Sequence, residues 1–430
     1  MELILSISIS LMAGLLMTRV IKPLKLPAVT AYLLAGILVG PYVLGRLGIP
    51  GVGFGSIAEV KGLSLISNIA LGFIAFSIGN EFRLSQLKET GKKSVIIAIF
   101  ESLGAAILVD AALIGLHFLL GEKTLPLSVA ITLGAIATAT APAATLMVVK
   151  QYKAKGKLTD ILLPVVALDD AVCLIVFSVS FGVAKAMSHG VADVASIIAQ
   201  PLIELAASIL LGALIGIVFS FTERFFHSNS KRMSLAVTFI LLTVAISMTT
   251  WDIPGTNLQI SFSSLLVCMM LATVFCNTCD FSLELMDKTE KWTAPLFALF
   301  FVLSGAELEL DVFRSATVVF IGVVYILFRS LGKYFGATLG AKLMGCDHNT
   351  VKYLGVTLLP QAGVALGMSM LATDLPNGAL IRNTILFGVL IYELFGPLLT
   401  KIALTKAGEI TPPKEPSLRA QGKVVHDLHR

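Results

Sequence analysis

The sequence is poor in charged residues and in cysteine, and both shortages exclude classes of protein. Of its 430 residues only 14% are charged, whereas 56% are hydrophobic, and the mean hydropathy is +0.90. Soluble proteins carry about 25% charged residues, so a soluble enzyme, a disordered chain or a nucleic-acid reader fits poorly. The scattered cysteines argue against a disulfide framework; they stand at positions 173, 268, 276, 279 and 346.

Sequence motifs of enzyme chemistry are missing as well. The chain contains no Gly-rich phosphate loop, no hydrolase nucleophile elbow and no spaced cluster of metal ligands. Cys276 and Cys279 have the C-x-x-C spacing, but no second pair completes a zinc site. We therefore predict that the chain is not an enzyme and has no cofactor and no resident metal ion.

Long apolar runs fill most of the chain. A helix needs roughly 17–25 mostly apolar residues to cross a membrane. Runs of this kind lie at 2–20, 28–44, 63–80, 94–119, 126–149, 158–184, 196–221, 233–250, 258–276, 292–308, 315–343, 352–373 and 381–404. We therefore predict an all-α polytopic membrane protein with about thirteen transmembrane helices over residues 1–404. Residues 405–430 would form a short cytoplasmic tail.

Lysine and arginine are concentrated in alternate loops. With the N-terminus outside, the inward loops and the C-terminal end hold 24 of the 32 basic residues, and the outward loops hold 6. Because positively charged loops stay in the cytoplasm, we predict an outside N-terminus and a cytoplasmic C-terminus in the inner membrane of the cell. The lipid bilayer accounts for the basic excess, so no nucleic-acid partner is predicted.

Two of the runs contain a proline among small residues. Pro142 lies in the fifth run, and Pro360, followed by Gln361, lies in the twelfth. A proline inside a helix removes a backbone hydrogen bond and interrupts it. The two runs are seven positions apart, an odd number, so they cross the membrane in opposite senses. Interrupted spans at matching positions of two inverted halves indicate the binding site of a secondary transporter.

Charged residues inside the predicted spans are costly and mark functional sites. Asp169 and Asp170 are adjacent in the sixth run, and Arg329 and Lys333 lie one turn apart in the eleventh. Neighbouring helical residues differ by about 100° in direction, so one aspartate can contact a basic partner while the other faces a cavity. Because Arg329 is nearer the middle of its span, we favour it as the partner, with Lys333 as the alternative.

Further acids lie within the predicted spans, and two of them are candidates for the site. Glu101 is in the fourth run and Glu393, beside Tyr392, is in the thirteenth. Packing contacts are the favoured interpretation of both residues, and an accessory role at the transport site is the alternative.

Several of these motifs together resemble one family. Ala139–Thr145 around Pro142, followed by the Asp169–Asp170 pair, is similar to the monovalent cation:proton antiporter family, in the branch of bacterial Na⁺/H⁺ and K⁺/H⁺ exchangers with an Asp-Asp motif. Three other segments also resemble that branch: 358–366, 392–397 and 403–409.

The resemblance implies a fold and a set of site residues. The fold would consist of two inverted repeats with two crossing broken helices, in a homodimer. Core helices at about 94–184 and 315–404 would move like an elevator against scaffold helices at about 1–93 and 196–308. Asp170 would bind the cation or the proton, Asp169 would pair with the basic residue, and Thr138 and Thr140 would supply ligand oxygens.

The resulting hypothesis is exchange of a monovalent cation, Na⁺ before K⁺ or Li⁺, for protons. Mutual exclusion of proton and cation at Asp170 is sufficient for such exchange. A cation channel and a sodium-coupled solute symporter are the alternatives. Saturable, proton-coupled flux without an organic solute separates the exchanger from both.

Overall fold

The computed structural model describes residues 2–24, 26–49, 53–79, 82–189, 194–226, 228–252, 259–279, 281–372 and 375–410. Helices dominate these residues, in the order α1 (Glu2–Val20), α2 (Ala28–Val39), α3 (Ile57–Lys61), α4 (Ser64–Gly79), α5 (Leu84–Leu120), α6 (Leu127–Ile136), α7 (Pro142–Tyr152), α8 (Lys157–His189), α9 (Val194–Glu223), α10 (Asn229–Ser247), α11 (Ser264–Thr278), α12 (Ser282–Ala306), α13 (Ala316–Leu343), α14 (His348–Thr357), α15 (Gly363–Leu371) and α16 (Gly378–Lys406). Short 3-10 helices occupy Lys22–Leu24, Leu44–Leu47 and Leu310–Arg314.

Helices cover most of each of the thirteen predicted apolar runs in the described residues. The fifth run corresponds to α6 and α7, and the twelfth to α14 and α15. Seven helices of the described part are long and apolar enough to cross a membrane, so the number of thirteen crossings stays a prediction. A small antiparallel ribbon between α10 and α11, formed by β1 (Trp251–Asp252) and β2 (Gln259–Ile260), was not predicted. The predicted tail lies outside the described residues from 411 onward.

Both prolines interrupt their helices as predicted. Pro142 is the first residue of α7, where the missing N–H of proline leaves no hydrogen bond unmade. Pro360 lies in the stretch between α14 and α15. Each interruption leaves a helix C-terminus and a helix N-terminus inside the bundle, with backbone groups that need partners.

Glycines allow α5 and α13 to pack with their backbones in contact. Gly104 of α5 faces Gly332 and Gly336 of α13. A Cβ added at Gly332 would lie 2.6 Å from the Cα of Ala105, and one added at Gly336 would lie 2.8 Å from the Cα of Glu101. No larger residue permits so close an approach. This contact brings Glu101 beside the basic residues of α13.

The start of α8 is capped by a residue from the far end of the chain. The Glu409 carboxylate accepts hydrogen bonds from the backbone N–H of Leu158 at 2.6 Å and of Thr159 at 2.8 Å, and from the Thr159 hydroxyl at 2.6 Å. The N–H of Lys155 also donates to the Glu409 carbonyl at 3.1 Å. A negative charge at a helix N-terminus is stabilising, so Glu409 fixes the helix that carries the paired aspartates.

Removing this cap should destabilise the protein. We expect Glu409→Ala to lower the free energy of unfolding by about 1–2 kcal/mol, because two N–H groups of α8 lose a charged acceptor. Thermal denaturation of the purified protein in detergent measures the effect. Glu122→Ala, which removes a carboxylate that is 70% exposed, is the matched control. Equal melting temperatures for the two variants would contradict the prediction.

Candidate functional site

The two interrupted segments meet at their breaks. The N–H of Ala141 donates to the Pro360 carbonyl at 2.9 Å, and the side-chain amide of Gln361 donates to the Ile136 carbonyl at 3.0 Å. The same amide lies 2.8 Å from the hydroxyl of Tyr325. These bonds replace hydrogen bonds that the interrupted helices cannot make. The crossing is thus an ordered point between α6, α7, α14 and α15.

Arg329 of α13 binds the crossing from one side. Its guanidinium donates to the carbonyls of Ala137 at 2.9 Å, Ala139 at 2.6 Å and Leu359 at 2.8 Å. The ring of Tyr392 stacks on it at 4.4 Å. The C-terminal ends of α6 and α14 carry partial negative charge, and Arg329, which is fully buried, neutralises both.

Lys333 of α13 is paired with two acids. Its Nζ lies 2.7 Å from Glu101 Oε2 and 3.0 Å from Asp169 Oδ2, and all three side chains are fully buried. The same Nζ donates to the Thr138 carbonyl at 2.5 Å and to the Thr140 hydroxyl at 2.8 Å. A buried ion pair is stable only when further hydrogen bonds satisfy its members, and this cluster supplies them.

The prediction that Arg329 is the partner of Asp169 is therefore wrong. Arg329 was expected to pair with it, but Lys333 does so in the structure. The guanidinium presents several donors in a fixed plane, and three of them are held by backbone carbonyls at the crossing. Lys333 lies one turn along α13, and its compact ammonium group reaches the carboxylates instead.

The two threonines contact the ion pair and not Asp170. The hydroxyl of Thr140 donates to Asp169, and the hydroxyl of Thr138 donates to the Ala135 carbonyl at 2.7 Å. The prediction that both supply oxygens to a cation at Asp170 stays a prediction, and in this structure both hydroxyls are already hydrogen-bonded.

Asp170 differs sharply from its neighbour. It is 3% exposed, and neither of its carboxylate oxygens has a hydrogen-bond partner among the described residues. Leaving a buried carboxylate without partners costs several kcal/mol. Such a group is stabilised when it takes up a proton or a cation, which is the property that an ion-exchange site requires.

The sequence analysis gave one residue of the cluster only a packing role and did not consider another. Glu101 was expected to make packing contacts, yet it pairs with Lys333. Ser102 was not considered, and its hydroxyl lies 3.4 Å from Glu101 Oε1 and donates to Asp169. The only sequence signal for Glu101 is an acid in the middle of a span that also contains Gly104, three residues away.

A cavity of about 480 Å³ lies beside the crossing. Residues of α4, α11, α12 and α16 line it, together with the first residues of α7 and most of α15, and Thr140 borders it. Glu393 of α16, which is 7% exposed, also borders the cavity.

Comparisons with known proteins agree with this architecture. Residues 7–406 match the family model described as sodium/hydrogen exchanger, transmembrane. The K⁺/H⁺ antiporter subunit KhtU of Bacillus subtilis is 21% identical over 415 residues, which cover 93% of each chain. Cation/H⁺ antiporter 19 of Arabidopsis thaliana is 38% identical over 100 residues, which cover 23% of this chain but only 12% of the plant protein.

A solved structure has the same fold. The sodium proton antiporter MjNhaP1 of Methanocaldococcus jannaschii at pH 8 superposes with a TM-score of 0.69 and 18% identity. The match covers 95% of this chain and 99% of that one. The predicted fold class is thereby confirmed.

The pairing of Lys333 with Glu101 and Asp169 can be tested by comparing the stability of single and combined charge-removing variants. We expect Lys333→Met to lower the free energy of unfolding by about 3–5 kcal/mol, because two buried carboxylates lose their counter-ion. Adding Glu101→Gln and Asp169→Asn to Lys333→Met should reverse most of the decrease in melting temperature, since no uncompensated charge remains at the cluster.

Arg329→Met provides the matched control for this cycle. It should also lower the melting temperature, because three carbonyls at the crossing lose their donor. Glu101→Gln and Asp169→Asn should give no recovery in that background. Equal recovery in both backgrounds would assign the acids to Arg329 and overturn the pairing.

Proposed function

The chain belongs to the sodium/hydrogen exchanger family and is a multi-pass cation/proton antiporter, and we propose that it exchanges Na⁺ for protons at Asp170. The observation that carries this proposal is the buried Asp170 carboxylate with no hydrogen-bond partner in the described chain. KhtU is by name a K⁺/H⁺ antiporter subunit, so K⁺ is the alternative cation.

Competition at a single carboxylate couples the two fluxes. Asp170 binds either a proton or a cation, and each of these removes its uncompensated charge. The empty, charged carboxylate is the form that is most costly to bury. If only the loaded forms change conformation, each movement of a cation in one direction requires a proton in the other.

Alkali cations are hard ions that prefer oxygen ligands. Asp170 provides two carboxylate oxygens, and we propose the hydroxyls of Thr138 and Thr140 as further ligands. The carbonyls of Ala137, Ala139 and Leu359 already accept hydrogen bonds from Arg329. The Thr140 hydroxyl donates to Asp169 and accepts from Lys333, so ligation of a cation by its oxygen would connect the binding site to the ion pair.

The identity of the basic residue bears on the number of protons. A lysine can lose its proton when it is buried, but an arginine effectively cannot. Lys333 is the partner of Asp169, so the charge moved per cycle, measured under an imposed membrane potential, shows whether this cluster takes part in proton exchange.

Alternating access is supported by the unequal packing around the crossing. The cavity is lined by α4 and α12, by most of α15 and by the first residues of α7. Farther along α7 and α8, Leu146 and Leu162 belong to the same buried cluster as Phe76 of α4 and Phe275 of α11. This difference supports a site that is approached through the cavity from one face and closed by apolar packing toward the other.

We propose that α5–α8 and α13–α16 form a core that moves like an elevator against a scaffold of α1–α4 and α9–α12. The exchanger would act as a homodimer in the inner cell membrane, with its N-terminus outside and its C-terminus in the cytoplasm. The cavity then opens outward, because its border includes residues near 61, 307 and 382, which lie on the predicted outer face.

The transport proposal is tested with proteoliposomes that are acid inside. Adding Na⁺ outside should dissipate the pH gradient in the wild type, and Asp170→Asn should reduce this exchange to the rate of empty liposomes. Asp160→Asn, an exposed position at the start of the same helix, is the control and should exchange normally. K⁺ and Li⁺ are added in parallel to identify the cation.

Wild-type exchange in Asp170→Asn would overturn the assignment of Asp170. If no alkali cation dissipates the gradient although the protein is folded, the exchange function itself is wrong. Dissipation without saturation indicates a channel, and a requirement for an organic solute indicates a symporter. An imposed membrane potential, worth about 2.3 kcal/mol per charge per 100 mV, measures the charge moved in each cycle.

The elevator motion is tested by thiol accessibility in a variant without the five native cysteines. Ala362→Cys stands at the cavity on the proposed core, and Ser304→Cys stands at the cavity on the proposed scaffold. In oriented vesicles, a membrane-impermeant thiol reagent should reach position 362 from either face, depending on cation and pH. Position 304 should react from one face only, and the same pattern at both positions would contradict the elevator.

A further inference from the structure

One buried carboxyl group has no role in the exchange step described above. Glu393 lies on α16, is 7% exposed and borders the cavity. Its Oε2 atom is buried and has no hydrogen-bond partner among the described residues. A carboxyl group in such a position is costly and marks a functional site.

The charges around this cavity are unevenly paired. Arg382 is bound to Glu309 in an ion pair at the border of the cavity. Lys61 and Glu307 also border it. With the Arg382–Glu309 pair accounted for, the remaining charged groups at the border are Lys61, Glu307 and Glu393, so carboxylates exceed cations.

Helix ends make a carboxylate tolerable at this position. The first residues of α7 and of α15 border the same cavity, including Pro142 and Gly363. A helix N-terminus carries partial positive charge and unpaired N–H groups. Leu394, the residue after Glu393, packs against a buried cluster that includes Ala141 and Ala144 at the start of α7. The cavity that Glu393 borders therefore also contains helix ends that favour negative charge.

The cavity connects this carboxyl group with the exchange cluster. Thr140 borders it and donates to Asp169 within that cluster. A cation that enters from the border with Lys61 and Glu307 therefore shares one continuous space with Glu393 and Thr140. The carboxylate of Glu393 is the buried acid that such a cation meets in this space.

We propose that Glu393 is a second cation site, which holds the alkali cation in the cavity before the cation reaches Asp170. The inference rests on the proposed exchange function and adds a site to it. A carboxylate inside a narrow cavity raises the local cation concentration by about 10-fold or more. Glu393 therefore sets the cation concentration at which exchange is half-maximal, and it has little effect on the maximal rate.

The first test is the cation dependence of exchange in proteoliposomes. Glu393→Gln should raise the KM for the cation about tenfold and leave the maximal rate within about twofold of the wild type. Glu393→Asp, which keeps the charge, should recover most of the affinity. Glu122→Gln removes an exposed carboxylate outside the cavity border and should change neither value.

The second test measures binding without transport. In a cysteine-free Asp170→Asn background, Ser304→Cys reports on the cavity through its rate of reaction with an impermeant thiol reagent. Na⁺ should slow this reaction, because the cation still binds at Glu393. Adding Glu393→Gln should abolish the protection.

The outcomes separate this proposal from the exchange function. If the wild type exchanges and Glu393→Gln has an unchanged KM, the second site is wrong and the exchange function stands. A lower maximal rate and a lower melting temperature at an unchanged KM would assign Glu393 a structural role at the helix ends, which also overturns the site. If the wild type does not exchange but Na⁺ protects Ser304→Cys through Glu393, the exchange function fails and the cation site stands.

Discussion

Two buried cations on one helix hold the centre of this molecule together. Each interrupted segment leaves a helix C-terminus, with partial negative charge, inside the bundle. Arg329 binds carbonyls of both segments, and Lys333 connects the same region to acids on α5 and α8. Because α13 carries both cations, it fixes the crossing, α5 and α8 relative to one another, and every other feature of the site depends on that arrangement.

The two adjacent aspartates have different surroundings because neighbouring helical residues point in different directions. Asp169 is bound by Lys333, Thr140 and Ser102, so a change of ligand would cost it existing partners. Asp170 has no such partners in the described chain and loses nothing when it takes up an ion. On the proposed function, the transported ion itself completes the charge balance of the site.

Local features of this structure could be predicted from the sequence, and the pairing at its centre could not. The helical runs, both interruptions and the buried acids follow from composition and from the positions of Pro142 and Pro360. Arg329 and Lys333 share a helix face, so their partners depend on where two other helices end in space. The role of Glu101 depends on a glycine contact between α5 and α13. These two helices are far apart in the sequence.

At the breaks in the helices, permanently charged groups and groups whose charge can change lie at opposite kinds of helix end. Arg329 remains charged under all conditions, and it lies at the C-terminal helix ends, whose partial charge is equally permanent. The N-terminal ends of α7 and α15 border the cavity instead, together with Glu393. A carboxyl group can gain or lose its charge by taking up a proton or a cation. On the proposed function, the Glu393 carboxyl group changes its charge where ions enter, while Arg329 keeps the crossing intact in every loaded state.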